Sequence, residues 1–177
     1  MAAGSTYTPI ASTTLGSSAA SIDFSNVSTA YTDIKAVVYV KGTSASHLYC
    51  RVGNNGLDNS ALYSLTGNFA RLANTGPSTE TGSERNSGQS TFRINPFTYI
   101  PATTFATVTV DFMGYSNARV KVALSRASAR GDQPYYGSES TVHLWRSSSQ
   151  INTMSFYMLT GNLAAGTSIT LYGISAA

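Results

Sequence analysis

The segment TFATVTVDFM, residues 104–113, alternates apolar and polar side chains more regularly than any other stretch of the chain. Its apolar alternate positions are Ala106, Val108, Val110 and Phe112. Successive side chains of a β-strand point to opposite faces of the sheet, so a period of two predicts a strand with one face against a core. We therefore expect a fold built on antiparallel β-sheet.

The residues after this segment predict its hairpin partner. Residues 114–117 offer a turn, and the following strand is expected at 118–124. Alternation there puts three apolar side chains on one face, which is predicted to be the core face: Val120, Val122 and Leu124.

Two more local patterns support a sheet. Residues 33–41 (DIKAVVYVK) are apolar on both sides of the alternation, which predicts a central strand. Asn54, Asn55 and Gly56 form a turn signal that is typical of a tight hairpin, and they predict that residues 47–52 pair with residues 61–65.

Further segments with period two bring the expected total to about ten strands, with turn residues between them, as in sandwiches and barrels. We expect an all-β fold, an antiparallel two-sheet sandwich of jelly-roll type, in a single domain over residues 1–177. Residues 1–9 are expected to form an extended N-terminal arm. Residues 70–89 and 126–136 are predicted to be long loops.

The composition agrees with an all-β chain. Among 177 residues there are 26 serines and 22 threonines, and only 11% are charged, so hydroxyl groups replace charges as the main polar surface groups. A helical bundle or coiled coil would need Ala, Glu, Lys and Leu at a helical period. Eleven tyrosines and seven phenylalanines argue against a disordered chain.

Charge, hydropathy and cysteine content exclude several classes of protein. The net charge of +3 comes from scattered Lys and Arg residues, so no nucleic acid partner is expected. No run of about 18 apolar residues predicts a membrane span, and residues 1–15 lack the pattern of a secretory signal. Cys50 is the single cysteine, and it is expected to be a buried strand residue.

The sequence contains none of the motifs that carry a strong catalytic or metal-binding rationale. His47 and His143 are flanked by apolar strand residues and are predicted to be strand-edge side chains rather than bases or ligands. The eight acidic residues include no pair that local sequence singles out for glycoside hydrolysis. We therefore expect no enzyme activity, no cofactor and no metal.

Five residues are candidate contact residues. Tyr135 and Tyr136 follow Arg130 in the second predicted loop, where exposed rings suit sugar rings or a protein partner. Arg85 lies in the first predicted loop. Val142 and Leu144 are predicted to face the core, so alternation turns Trp145 outward, toward a subunit or neighbour.

Several short segments together resemble a family of small Ser/Thr-rich virion structural proteins of tailed bacteriophages, including those of cyanobacteria. They are YTDI at 31–34, NS at 59–60 with Tyr63, GN at 67–68, GYSN at 114–117, LSR at 124–126, LWRS at 144–147, GNLAAGT at 161–167 and LYGI at 171–174. The resemblance implies a β-sandwich exposed on the virion, as a tail fibre or tip, a baseplate attachment or a capsid decoration protein.

The resemblance also implies partners and a location. The expected partners are copies of the same chain, with a trimer favoured, and other virion proteins, and a host cell-surface glycan stays open as a further ligand. The location would be the virion surface, after synthesis in the host cytoplasm. Two alternatives stay open: a free carbohydrate-binding module, and a glycan-cleaving enzyme on a jelly roll.

Overall fold

The computed structural model describes residues 6–73, 79–129 and 135–175, with backbone alone at residues 73, 129, 135 and 136. Within these ranges the regular elements are all strands. The described residues contain no helix that is long and apolar enough to cross a membrane. The twelve strands are β1 (Tyr7–Thr14), β2 (Ser21–Phe24), β3 (Asp33–Val40), β4 (Leu48–Gly53), β5 (Tyr63–Ala73), β6 (Thr79–Gln89), β7 (Phe92–Arg93), β8 (Ala106–Met113), β9 (Lys121–Ala129), β10 (Tyr135–Trp145), β11 (Thr153–Met158) and β12 (Ser168–Ile174).

The strands form two antiparallel sheets, which confirms the predicted all-β, sandwich-like class. The large sheet has eight strands in the order β1-β12-β3-β8-β9-β10-β5-β6, and the small sheet has four in the order β2-β11-β4-β7. β3 lies between β12 and β8, so the predicted central strand is confirmed. One apolar core joins the inner faces of both sheets, and its contributors include Val38, Val110 and Leu171 from the large sheet and Cys50 and Phe156 from the small sheet.

Residues 106–113 form the strand that their alternation predicts. β8 buries Ala106, Val108, Val110 and Phe112 and exposes the alternate side chains. It pairs with β9 through a turn in which Gly114 adopts a positive φ of 57°. Only glycine takes that backbone conformation without a steric penalty.

The predictions of two long loops are wrong over most of their length, and the predicted N-terminal arm is wrong at residues 7–9, whereas residues 1–5 of the arm lie outside the described residues. Residues 70–73 and 79–89 belong to β5 and β6, residues 126–129 and 135–136 belong to β9 and β10, and β1 already begins at Tyr7. β6 contains no apolar residue, so hydrophobic periodicity cannot reveal it. Its pairing with β5 depends on backbone hydrogen bonds, which leave no trace in composition.

The predicted hairpin around residues 54–56 is also wrong. β4 pairs with β11 and β7 in the small sheet, whereas β5 belongs to the large sheet. The turn residues are nevertheless where the sequence places them, since Asn55 has a φ of 58°. The turn therefore carries the chain from one sheet to the other instead of closing a two-stranded ribbon.

The inner faces of β9 and β10 are opposite to those predicted. Val122, Leu124, Val142 and Leu144 face outward, and the side chains that face inward are largely polar. The buried inner set is Lys121, Ala123, Ser125, Ala127, Glu139, Thr141, His143 and Trp145.

The reason for this inversion is the irregular segment at residues 94–98, which lies under these strands. The Oε2 atom of Glu139 accepts hydrogen bonds from the backbone N–H groups of Phe97 (2.7 Å) and Thr98 (3.1 Å). The hydroxyl of Ser125 donates to the carbonyl of Ile94 (2.8 Å). Buried backbone groups outside regular structure need such partners, so polar side chains face inward here.

Candidate functional site

The outer face of the large sheet from β8 to β6 is the most extensive accessible surface with a defined pattern. In the order β8, β9, β10, β5, β6, cross-strand pairing places side chains in rows. We call this surface the outer face, and its rows divide into a polar half and an apolar half.

The polar half consists of two rows, here called the hydroxyl rows. The first row is Thr107, Ser128, Ser138, Ala70 and Thr81, and the second is Thr109, Arg126, Ser140, Asn68 and Ser83. All are exposed or half-buried. Ordinary strand alternation in a Ser/Thr-rich chain produces this surface, because each strand contributes every second residue to it.

The apolar half consists of the next two rows, here called the apolar rows. They contain Leu124 and Val142 beside Thr66, then Met113, Val122 and Leu144 beside Ser64. Met113, Val142 and Leu144 are 43%, 40% and 38% exposed. An exposed apolar cluster of this kind on a sheet face marks a contact surface in many proteins.

The outer face contains a groove over the hydroxyl rows, which we call the outer groove. Its volume is about 720 Å³, and its walls include Asn68, Thr107, Thr109, Arg126 and Ser140. A second depression of about 480 Å³ adjoins the apolar rows. Both are open to solvent, which suits an extended ligand or a protein surface better than an enclosed substrate.

The charges on the outer face are mainly positive. Arg85 and Arg126 are exposed and make no hydrogen bond or ion pair with any residue that the structure describes. Asp111 is the single carboxylate on the described part of this face, and it pairs with Lys35 at 2.5 Å. Glutamates of the same strands, such as Glu84, occupy the opposite face. The arginines that are scattered in sequence therefore converge here.

The predicted contact residues have different outcomes. Arg85 lies on the outer face beside the apolar rows, in the walls of the second depression. Arg130 and the side chains of Tyr135 and Tyr136 lie outside the described residues, although both tyrosines belong to β10.

Trp145 is not an outward contact residue, because its side chain is only 2% exposed. Its indole Nε1–H donates to Oδ2 of Asp58 at 2.7 Å. Asp58 also accepts from the backbone N–H of Ser60 (2.9 Å) and from its hydroxyl (2.5 Å). Burial favours the protonated carboxyl, but these hydrogen bonds outweigh it, so the pKa of Asp58 lies below its ordinary value.

Ser125 and His143 form the only serine–histidine pair in hydrogen-bond contact among the described residues, with Oγ and Nε2 2.8 Å apart. Ser125 has one hydroxyl proton, which it donates to Ile94, so Nε2 of His143 must be the donor to Ser125. Burial lowers the pKa of His143 to about 3. The histidine is therefore not placed to accept the serine proton, and both side chains are buried.

Glu139 is the most perturbed carboxyl group in the described chain. Burial raises its pKa to about 8, although the N–H groups of Phe97 and Thr98 stabilise the ionised form and partly offset that shift. Because the group is 5% exposed and lies beneath the sheet, no solvent molecule on the outer face reaches it directly. Its surroundings suit a structural role in fixing residues 94–98.

His47 is likewise buried, not at a strand edge. Its Nδ1–H donates to the carbonyl of Asn95 at 2.7 Å, and its ring stacks on Tyr99 with centroids 4.6 Å apart. Burial lowers its pKa. No group of three His, Cys, Asp or Glu side chains within the described ranges is arranged to hold a metal ion.

Sequence reasoning missed Arg126 and the hydroxyl rows around it. The signal that would have identified them is strand alternation read across neighbouring strands, which requires the register as well as the sequence.

Comparison with known protein families, curated proteins and solved structures finds no match for this chain.

Proposed function

We propose that this protein is a non-enzymatic structural protein of a bacteriophage virion, exposed on the tail or capsid surface, which acts by association with itself and by binding. The resemblance of its short segments to phage virion proteins motivates the proposal. The geometry supports it through an open sheet face with a groove and an exposed apolar cluster, and through the burial of Ser125 and His143, the serine–histidine pair found among the described residues.

We also propose that the sandwich is a jelly roll with two added hairpins. Eight strands follow the order expected for two interleaved four-stranded sheets, namely β1-β12-β3-β8 and β2-β11-β4-β7. The hairpins β5-β6 and β9-β10 both extend the first sheet beyond β8. This arrangement explains why the outer face is built largely from strands that have no counterpart in the small sheet.

The observation that carries the assembly role is the exposure of the apolar rows. A free monomer would leave Met113, Val142 and Leu144 in water, and burying such side chains against a partner is favourable by roughly 25 cal/mol per Å². Copies of the same chain, with a trimer favoured, and other virion proteins are the proposed partners.

Mass measurement in solution tests self-association. We expect the wild-type protein to exceed the 18.6 kDa of one chain at micromolar concentration. The double substitution Val142→Thr with Leu144→Thr should dissociate the oligomer, because threonine suits a strand at both positions but replaces apolar surface with hydroxyl groups. Leu159→Thr is the matched control, since Leu159 is 55% exposed outside both sheets. A monomeric wild type would contradict the assembly role.

The location is tested on purified particles. Antibody labelling or mass spectrometry should detect the protein in the virion, and imaging should then assign it to tail or capsid. Its absence from particles would contradict a virion role, whatever the oligomeric state.

A free-standing carbohydrate-binding module is the second candidate, and the outer groove favours it, because hydroxyl and amide side chains line it over two rows. This alternative predicts a monomer that is absent from particles but binds a glycan. The two candidates therefore differ in mass and in location.

A further inference from the structure

We propose that the outer face binds an acidic polysaccharide that runs from Arg126 in the outer groove to Arg85 in the second depression, across the polar side chains between them. This inference rests on the binding role proposed for the outer face, and it adds the chemical class of the ligand. Its occupant is a chain of sugars that carries carboxylate or sulfate groups.

The charge of the groove is the first argument. Arg126 on β9 and Arg85 on β6 expose guanidinium groups without protein partners, and Asp111, the only described carboxylate on this face, is already paired with Lys35. Guanidinium groups form forked, charge-assisted hydrogen bonds with planar anions such as carboxylates. The described part of the face therefore attracts anions and has little internal charge to compete with them.

The spacing of the two arginines is the second argument. The register puts Arg126 and Arg85 three strands apart and one row apart. With strands about 4.8 Å apart and a row of roughly 6.7 Å, their Cα atoms are about 16 Å from each other. A ligand that engages both must span the groove, which a polymer with repeated charges does and a single small anion does not.

The floor between the arginines is the third argument. Ser140 and Asn68 lie between them, and Thr109 continues the same row on the other side of Arg126. They offer hydroxyl and amide groups, each of which can donate and accept hydrogen bonds. Sugar hydroxyl groups have the same dual character, so they match this floor. A carboxylate-bearing peptide would bind the arginines, but the hydroxyl and amide side chains between them would remain hydrogen-bonded to water.

Single-stranded nucleic acid is the competing polyanion, and the face lacks what it needs. Non-specific binding of single strands depends on aromatic side chains on which the bases stack. None of the described side chains of the hydroxyl rows and apolar rows is aromatic, and the exposed Tyr39 of β3, which pairs with Thr107, lies on the side of Arg126 away from Arg85. The described residues between the two arginines therefore offer no ring for stacking. The anion is therefore assigned to a sugar chain.

Affinity electrophoresis of the full chain tests this assignment. Gels contain polygalacturonate, dextran sulfate, uncharged dextran, polyglutamate or oligodeoxythymidylate. We expect retardation by polygalacturonate or dextran sulfate that weakens with added salt, and none by uncharged dextran. The carboxylated and sulfated polymers distinguish the two sources of the negative charge.

Substitutions locate the site. Arg126→Gln and Arg85→Gln should each weaken binding about tenfold, the effect expected on losing a charge-assisted hydrogen bond. Thr109→Val removes one hydroxyl at constant shape and should weaken binding severalfold. Arg119→Gln is the matched control, because it removes the same charge from an exposed arginine that lines neither the outer groove nor the second depression, and it should leave binding unchanged.

Three results would overturn the proposal: no retardation by either acidic polysaccharide, equal retardation by polyglutamate or oligodeoxythymidylate, or equal losses in Arg119→Gln and Arg126→Gln. Unchanged thermal unfolding of each variant shows that a loss of binding does not reflect a loss of fold. A protein found in virions that binds no acidic glycan would contradict this inference alone, whereas a glycan binder absent from virions would contradict the proposed virion role alone.

Discussion

Glu139 shows how a single buried polar residue fixes the geometry of an irregular segment. Its carboxyl group binds two consecutive backbone N–H groups at residues 97 and 98. Arg71 donates to the carbonyl of Phe97 from the neighbouring strand at 2.8 Å. Polar residues on the inner side of the sheet thus replace the hydrogen bonds that a regular strand would have made.

The raised pKa of Glu139 predicts a stability that falls with rising pH. In the unfolded chain the carboxyl loses its proton near pH 4.5, whereas in the folded protein it keeps the proton up to about pH 8. Between these values the folded state keeps the proton of Glu139 and the unfolded state does not, so this group lowers the free energy of unfolding by about 2–5 kcal/mol as the pH rises. The lowered pKa of the buried His143 acts in the opposite direction below pH 6.5, so the net decrease is expected between about pH 6.5 and 8.

Chemical denaturation between pH 4.5 and 9 measures this effect. Glu139→Gln should remove most of the decrease, because its amide is neutral at every pH and its oxygen still accepts from the two N–H groups. Asp23→Asn, at an exposed position, is the control and should keep the wild-type slope. An identical pH dependence in Glu139→Gln and wild type would show that another group is responsible.

Trp145 and Asp58 form a second residue-scale interaction that stability measurements can isolate. Trp145→Phe should lower the free energy of unfolding by about 1–3 kcal/mol, because it removes the donor to a carboxylate and leaves a gap beside Tyr63. A double-mutant cycle with Asp58→Ala separates the hydrogen bond from packing. Additive effects would mean that the two side chains do not stabilise one another.

At the scale of elements, β12 depends on a close approach that only glycine permits. The ring of Tyr31 covers Gly173, and a Cβ atom at that position would lie 2.4 Å from the ring. The aromatic ring fills the space above the strand that a side chain would otherwise occupy.

Gly173→Ala is therefore expected to destabilise the protein by about 1–3 kcal/mol, as overpacking of an ordered site does. Adding Tyr31→Ala should recover part of that loss, which thermal unfolding of the single and double variants would show. Gly16→Ala is the matched control, because its added Cβ meets no atom within 4 Å. Equal effects at the two glycines would contradict the role of the ring.

At the scale of the whole molecule, both sheets share one core. The strands β9, β10, β5 and β6, here called the extension, contribute to the same core. Trp145 and Tyr63 from this extension pack with Phe92 and Phe112 in the same cluster as Val38 and Leu171. The extension has no separate core of its own among the described residues.

This shared core predicts a single cooperative unfolding transition. Trp145 is the only tryptophan, so its fluorescence reports on the extension, while far-ultraviolet circular dichroism reports on all strands. The two signals should change at the same urea concentration. A fluorescence midpoint below that of circular dichroism would mean that the extension unfolds first.

The sequence alone determined the class of the fold and its central strands. Alternation at residues 106–113 and apolar residues on both sides of β3 follow from backbone geometry, which requires no partner to be known. Hydroxyl-rich composition with few charges likewise indicated strands. These signals are local. A local pattern is enough to predict a strand and its buried face wherever that face packs against apolar residues.

Only the tertiary structure decided which side of β9 and β10 faces inward, that residues 70–73 and 79–89 belong to strands, and that Arg85 and Arg126 share a face. Apolar alternation predicts burial when the covering layer is apolar, but here the covering layer includes the irregular residues 94–98, whose backbone groups need polar partners. Pairing across strands, and thus the outer groove, depends on register between segments far apart in sequence, and local periodicity carries no information about that register.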